Sequence, residues 1–285
     1  MEKVNKIYVV GTLKTVEARR DQKDGKNYIG GKFTVQVGPE SDNNIIEMKF
    51  YSNELTTEGK ANKRYSNYNN LESMLNRRVV VSGELNGRAF YQASQGQVIH
   101  FNEVNAGFIN LAKDTDADVA TFEFSGFVSK PLYERRDKNE NIVAYEIEIS
   151  QANYNGENMR TIRFTVDKDS LKMQQSIQNY YTKNTTVAIS GEIRYIKSMV
   201  EKVEEVAFGD ALVKKFENVL KTFVITGGKN PIVGDAAYTP AQISTLEAAY
   251  QKYLLEVEAE GKNDSQSGKT VVEKEPVKTD RSKLL

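Results

Sequence analysis

One strand-like segment is present twice in this sequence: VVVSGEL at residues 79–85 returns as VAISGEI at residues 187–193. Further pieces are doubled in the same order, with a repeat unit of about 110 residues, which is too long for a solenoid repeat. These further pairs are KIYVVGTL (6–13) with FEFSGFVS (122–129), EARRDQ (17–22) with YERRDK (133–138), IIEMKFYS (45–52) with TIRFTV (161–166), and HFNEVNAGFINL (100–111) with EKVEEVAFGDAL (201–212). The sequence therefore predicts two copies of one small domain.

Each copy has the pattern of β-strands. In the first copy Ile46, Met48 and Phe50 are apolar at every second position, which is typical of a strand with one buried face. A helix is predicted between the third and fourth strands of each copy, at 69–78 and at 170–181. Three strands, a short helix and two more strands is the element order of the five-stranded OB barrel. The predicted fold class is thus mainly β, with two tandem OB-fold barrels, each carrying a short helix.

Glycines fall in the middle of four predicted strands, at Gly11 and Gly83 in the first copy and at Gly126 and Gly191 in the second. A closed five-stranded barrel has to bend its strands sharply. A residue without a β-carbon permits such a bend, or a bulge. We expect these four positions to be the bending points.

After the second copy, residues 239–261 predict a helix. Thr239 is its N-cap, Pro240 occupies the first turn, and Gln242 can complete a capping box. An apolar stripe on this helix is expected to pack on its own domain; its members are Ile243, Leu246, Tyr250, Tyr253 and Leu254. Polar residues without apolar periodicity follow, and they predict a disordered tail. The predicted division is a first OB domain (1–112), a linker (113–119), a second OB domain (120–230), a loop with the C-terminal helix (231–261) and the tail (262–285).

Composition argues against catalysis. The chain has no cysteine and only one histidine, His100, so thiolate chemistry and histidine clusters are excluded, and no phosphate-binding loop is present. We therefore expect no enzyme activity, no cofactor and no metal site. The sequence has no apolar run of 18 residues and no signal peptide pattern, which predicts a cytoplasmic protein without membrane contact.

The first copy resembles a known family. The segments VNKIYVVGTL (4–13), KFTVQV (32–37), LNRRVVVSGEL (75–85) and GRAFYQASQGQVIHFNEV (87–104) are similar to successive segments of bacterial single-stranded-DNA-binding proteins. A chain with two such domains is similar to the bacteriophage members. This resemblance implies a protein that coats single-stranded DNA, without sequence preference, in replication or recombination. Contacts with replication or recombination proteins and self-association stay open.

Within that resemblance, Tyr51 and Phe90 match aromatic residues on which bases stack, with Arg88 as the basic residue before the second of them. Strand alternation also places Lys32 and Lys49 on the outer face. The first hairpin adds Arg19 and Arg20, and a polar segment read as an exposed loop (60–70) adds Arg64 and Tyr65. The corresponding candidates in the second copy are Arg135, Arg136, Arg163, Arg194 and Tyr195.

Two observations keep an alternative open. The whole chain has a net charge of zero, although residues 1–112 hold 15 Lys and Arg against 12 Asp and Glu. In the second copy, Thr165 stands at the position that corresponds to Tyr51, so this copy is expected to bind DNA more weakly or to serve as an assembly surface. The alternative is a structural or adaptor protein that uses paired OB barrels for protein contacts.

Overall fold

The structure is a computed structural model that describes residues 3–23, 25–136, 140–204 and 212–266. Ten strands form one continuous sheet in these ranges. Three α-helices accompany them: α1 (Lys63–Asn69), α2 (Leu171–Tyr180) and α3 (Pro240–Gln266). No helix in the described ranges has both the length and the apolar character needed to cross a membrane.

The first barrel closes on itself in the strand order β1-β2-β3-β5-β4-β1. All neighbours in this ring are antiparallel except β3 and β5, which run parallel where Lys49 lies opposite Asn105. This is the predicted OB arrangement. The strands are β1 (Asn5–Lys23), β2 (Lys26–Gln36), β3 (Ile45–Asn53), β4 (Arg78–Gln92) and β5 (Gln97–Leu111).

The second barrel repeats the arrangement as β6-β7-β8-β10-β9-β6, again closed by one parallel pair, β8 with β10. Its strands are β6 (Val119–Arg136), β7 (Ile142–Ala152), β8 (Met159–Val166), β9 (Thr186–Glu204) and β10 (Leu212–Gly228). The predicted pairing of 100–111 with 201–212 is wrong. Residues 201–204 still belong to β9, because the β9–β10 hairpin is longer than β4–β5, and the counterpart of β5 is β10.

The alternating apolar residues that the sequence analysis identified form the core of each barrel. Ile46, Met48 and Phe50 are buried, and Phe164 of β8 fills the corresponding place in the second barrel. The doubled segment also keeps its inward residues in both copies, as Val79, Val81 and Leu85 on β4 and as Val187, Ile189 and Ile193 on β9. The repeat therefore preserves the barrel interior.

The four predicted bending glycines lie where a neighbouring strand comes too close for a side chain. A β-carbon on Gly83 would lie 2.0 Å from the carbonyl oxygen of Asn105, and one on Gly191 would lie 2.0 Å from that of Val224. Gly11 and Gly126 meet β2 and β7 in the same way. A register shift in the β4–β5 ladder falls between Ser82 and Gly83. The glycines permit the close approach of neighbouring strands. Each barrel needs this approach, which explains why the SGE motif is present in both copies.

The first predicted helix is misplaced. Residues 63–69 form α1, a 3-10 turn covers Leu71–Met74, and β4 begins at Arg78, so 69–78 is not one helix. The side chain of Asn62 accepts a hydrogen bond from the backbone N–H of Arg64 (3.0 Å) and begins the helix. The segment taken for an exposed loop is thus helical, and its Tyr68 is buried. The second predicted helix, 170–181, is confirmed as α2.

Helix α3 begins as predicted. The backbone N–H of Thr239 donates to Gln242 Oε1 (2.9 Å), and the backbone N–H of Gln242 donates to Thr239 Oγ1 (3.2 Å). Ile243, Leu246 and Tyr250 are buried against Phe127 of the second barrel. The helix continues to Gln266, so the first five residues of the predicted disordered tail are helical, and residues 267–285 lie outside the described residues.

The two barrels share a strand ladder. Residues 7–12 of β1 pair with β4 on one side, and residues 5–10 of β1 pair with residues 119–124 of β6 on the other. Glu47 of β3 adds an ion pair across the junction, 3.3 Å from Lys221 of β10. Burial raises the pKa of the Glu47 carboxyl, but Lys221 and Lys32 outweigh it and leave this pKa lowered. The barrels are therefore joined through backbone hydrogen bonds, as well as through the connection between β5 and β6.

Candidate nucleic-acid interface

An open groove of about 850 Å³ lies on the outer face of the first barrel, across β3, β4 and β5. Four of the sequence-predicted residues line it: Lys49, Tyr51, Arg64 and Arg88. Phe108 and residues of the second barrel also line the groove. Its charged side chains are four basic residues (Lys49, Arg64, Arg88, Arg160) and two acidic ones (Glu84, Glu103), which leaves a net charge of two positive.

Tyr51 presents its ring to this groove. It is 57% exposed and lies opposite Gly30 on β2. Gly30 leaves room beneath the ring, because a β-carbon there would be 3.1 Å from Tyr51 Cδ2. Tyr28 lies beside it with ring centroids 5.5 Å apart, and the Tyr51 hydroxyl donates to Asn53 Oδ1 (2.8 Å). The ring is held in place at its edge, and its exposed surface is available to a partner.

Helix α1 places Arg64 over a second aromatic ring. Asn67 exchanges two hydrogen bonds with the backbone of Ile109 (2.7 and 2.9 Å), and the buried Tyr68 hydroxyl donates to the carbonyl oxygens at 106 and 107 (both 2.8 Å). Burial raises the pKa of Tyr68 to about 12, against a smaller lowering by Arg64. The helix is thus fixed on β5, and the Arg64 guanidinium lies 5.5 Å from the ring centroid of Phe108.

Phe108 was missed by the sequence interpretation. It is exposed on β5 between the glycine at 107 and the buried Ile109. Alternation from the buried residues at 104 and 106 would have placed it inside, and the register shift between Ser82 and Gly83 in the β4–β5 ladder turns it outward. Together with Arg64 it forms a cation–aromatic pair on the groove surface.

A buried carboxylate restrains the other two predicted cations. Glu103 of β5 is buried, forms an ion pair with Lys49 and lies 4.0 Å from Arg88. A phosphate that approaches Lys49 or Arg88 has to compete with this carboxylate. Glu103 is therefore expected to weaken anion binding in the groove.

The substitution Glu103→Gln should tighten binding of an oligo-dT about fivefold, because an ion pair whose cation is partly exposed contributes up to about 1 kcal/mol, which a phosphate would no longer have to overcome. The measurement is fluorescence anisotropy at low salt, with thermal unfolding to verify the fold. Glu58→Gln is the matched control, since Glu58 pairs with Lys60 (2.8 Å) on the surface and does not line the groove. Unchanged or weaker binding by a folded Glu103→Gln protein would contradict this role.

The remaining first-barrel candidates lie outside the groove lining. Arg20 is hydrogen-bonded to Asn69 (3.0 Å), and Lys32 is 3.4 Å from Glu17 and 3.3 Å from Glu47. Burial lowers the pKa of Lys32, but the two carboxylates outweigh it and the pKa is raised. The others are Arg19, which is exposed, Tyr65, which is half-buried against the core, and Phe90, which is exposed and packed edge-on against Phe101 (5.2 Å).

The second barrel presents its corresponding face differently. Arg163 and Thr165 occupy the positions of Lys49 and Tyr51, but they line a cavity of about 690 Å³ that is bordered by β5 of the first barrel and by α3. Asn102 of β5 exchanges two hydrogen bonds with the backbone of Arg163 (2.6 and 3.2 Å). Arg135 and Arg163 lie 3.0 and 3.5 Å from the buried Glu146. This face is bordered by the first barrel and by α3, and Arg135 and Arg163 on it are already paired with a carboxylate.

Helix α3 and the first barrel meet at this cavity. The Tyr250 hydroxyl and His100 Nδ1 are 3.1 Å apart, and the two rings are tilted with centroids 6.1 Å apart. Desolvation lowers the pKa of His100; Glu148 opposes this shift and Arg163 adds to it. His100 is thus a contact between β5 and α3.

Three further second-barrel candidates lie apart from the groove. Tyr195 is 1% exposed within the second core, so the prediction that it stacks bases is wrong. Its position has the parity of a core residue, two after the inward Ile193. Arg194 pairs with Glu192 (2.7 Å) in a crevice apart from the groove, and Arg136 pairs with Glu134.

No group of three or more histidine or acidic side chains in the described part of the chain is arranged to hold a metal ion.

Two closed OB barrels in one sheet, with an open basic and aromatic groove on the first, define a tandem OB-fold protein. The chain belongs to the YorF family, whose sequence model matches residues 3–272. No curated protein matches the sequence.

Among solved structures, the fold is similar to that of the wild-type single-stranded DNA binding protein from Thermus aquaticus. The TM-score is 0.50 at 10% identity, covering 85% of this chain and 99% of that one. A deletion mutant of the same protein gives a TM-score of 0.48 at 12% identity, covering 84% and 99%. The likeness to the wild-type structure supports the assigned fold, with two barrels in one chain.

Proposed function

We propose that this protein binds single-stranded DNA without sequence preference, and that the groove of the first barrel is the binding surface. The observation that carries the proposal is the combination of two exposed rings, Tyr51 and Phe108, with Lys49, Arg64 and Arg88 along one open groove. Rings accept any base by stacking, and the cations follow the phosphates. An OB barrel presents its strands for this use in many proteins.

The second barrel has a different part in this proposal. Its corresponding face is packed against β5 and α3, and Arg135 and Arg163 are held by Glu146. We therefore assign sequence-independent binding chiefly to the first barrel. The second barrel supports it through the shared β1–β6 ladder.

The cellular role that we propose is coating of single-stranded DNA during replication or recombination, in the bacterial or infected-host cytoplasm. The ordered resemblance of residues 4–104 to bacterial single-stranded-DNA-binding proteins supports it, and the tandem form supports a bacteriophage setting. We propose no catalytic step and no cofactor, because binding of this kind needs only stacking and charge.

Tyr51→Ala should weaken binding of an oligo-dT by about 1–3 kcal/mol, the range measured for one base stacked on an aromatic residue. The measurement is fluorescence anisotropy with the full chain at low salt. Tyr180→Ala is the matched control, because Tyr180 is 58% exposed on α2 and does not line the groove. Absence of binding by the unchanged protein at low salt would overturn the proposed function, and equal losses for the two variants would remove the groove from it.

A second candidate, an adaptor that uses paired barrels for protein contacts, has one observation in its favour. Several of the expected DNA-binding cations are paired with carboxylates, among them Lys32, Lys49 and Arg163, and the net charge of the chain is zero. The anisotropy titration separates the two functions, because an adaptor would give no salt-dependent binding of oligo-dT.

A further inference from the structure

A tyrosine of the second barrel lies at the groove of the first. Tyr154 lines the same groove as Tyr51 and Arg64, although it belongs to the turn between β7 and β8. Its side chain is fully exposed and makes no hydrogen bond or ring contact with the described residues. A large aromatic side chain in full contact with water contributes nothing to packing, and its place on the groove beside Tyr51 and Arg64 leaves the ring available to a base.

The turn that carries Tyr154 is well ordered by its own hydrogen bonds. The backbone N–H of Asn153 donates to the carbonyl of Asn158 (2.7 Å), and that of Gly156 donates to the carbonyl of Asn153 (3.0 Å). Lys3 Nζ adds a hydrogen bond to the same carbonyl of Asn153 (3.1 Å). Tyr154 is therefore presented by a fixed backbone.

Close contacts between the barrels hold this turn at the edge of the groove. A β-carbon on Gly87 of β4 would lie 1.8 Å from the carbonyl oxygen of Thr161, so the backbones of β4 and β8 touch there. Next to it, Arg160 pairs with Glu84 (2.9 Å) and donates to the carbonyl of Leu85 (3.3 Å). The start of β8, and with it the preceding turn, is clamped against β4.

We infer that Tyr154 is a base-stacking residue of the second barrel, and that a single strand bound in the first-barrel groove continues across the barrel junction onto it. The inference rests on the proposed function and extends it. The two barrels would then form one continuous binding track, with Tyr51 and Phe108 in the first barrel and Tyr154 at the junction. In this arrangement the second barrel contributes Tyr154 to the site, although its own face with Arg163 and Thr165 is not used.

The test is Tyr154→Ala in the full chain, titrated with a labelled oligo-dT of about 20 nucleotides, which exceeds the roughly 4–16 nucleotides that one OB fold covers. The expected result is binding weakened about fivefold or more, in line with the loss of one stacked base. The melting temperature should not change, because the side chain is fully exposed. Tyr180→Ala and Tyr51→Ala are measured beside it.

A second readout locates the strand directly. An oligo-dT that carries photoreactive 5-iodouracil should crosslink to the tryptic peptide that contains Tyr154, and this crosslink should disappear in Tyr154→Ala. If Tyr51→Ala weakens binding while Tyr154→Ala does not, and no crosslink forms at the turn, the continuous track is overturned and the proposed function stands. If the unchanged protein does not bind the oligonucleotide, both are overturned.

Discussion

Phe50→Ala is expected to lower the free energy of unfolding by about 3–5 kcal/mol, the usual cost of removing a buried phenylalanine. Phe50 is 4% exposed and packs between Phe33 and Tyr68, with ring centroids 5.9 and 4.9 Å away. Tyr51, one residue along, points outward, so Tyr51→Ala should cost less than about 1 kcal/mol. Urea unfolding monitored by circular dichroism measures both.

The second barrel supplies the matched comparison. Phe164 is fully buried among Phe122 and Phe124, with ring centroids 5.2 and 5.3 Å away, and Phe164→Ala should cost a similar amount. Thr165→Ala, on the opposite face of the same strand, should be mild. A benign Phe50→Ala together with a severe Tyr51→Ala would mean that the β3 register is shifted by one residue, which would place the groove residues of that strand inside the core.

The features that the sequence predicts well are those set by local pattern. Alternation along 45–52 identified the inward face of β3, and the doubled SGE motif identified the second barrel. Both follow from the two-residue period of a strand, which any folded context has to respect. The capping box at Thr239 is equally local, because both of its hydrogen bonds join residues three apart.

The features that the sequence did not predict depend on long-range contacts. Helix α1 has a local start signal in its N-cap Asn62, but Asn67 and Tyr68 hold it on the β5 backbone about forty residues away, and no local pattern predicts those contacts. Tyr195 was misassigned because a basic neighbour, Arg194, suggested a binding hairpin while the barrel interior required a large side chain. The pairing of Lys49 with Glu103 also joins two strands, β3 and β5, that are far apart in the sequence.

Contacts that are distant in sequence also determine the surroundings of the second-barrel face that carries Arg163 and Thr165. Thr165, which corresponds to Tyr51 in the repeat, suggested a weaker DNA-binding site in the second barrel. The physical reason for a weaker site is that Asn102 and α3 border that face. The shared β1–β6 ladder also bears on experiments with separated barrels. Cutting the chain between them would expose strand edges on both pieces, so single substitutions in the full chain are the better test.

Salt should weaken DNA binding steeply. Each neutralised phosphate contributes about −0.7 to the slope of log affinity against log salt for single strands, so six contacts would give a slope of about −4. This corresponds to a roughly 300-fold loss between about 50 and 200 mM salt. This is the upper bound, with contacts by Lys49, Arg64 and Arg88 in the groove and by Arg19, Arg20 and Lys32 outside its lining; the three groove cations alone would give a slope of about −2.

The slope of log affinity against log salt indicates how many of these cations contact a phosphate instead of a carboxylate of the protein. Among the described residues, Arg19 and Arg64 have no acidic side chain within ion-pair distance, whereas Lys49 and Arg88 share Glu103. If only the two unpaired cations contact phosphates, the slope should be about −1.4. Arg64→Gln should make the slope shallower by about 0.7, and Lys60→Gln, which removes a cation outside the groove, should leave it unchanged. A slope near zero for the unchanged protein would show that phosphate contacts do not drive binding, and the basic groove would then have to serve another partner.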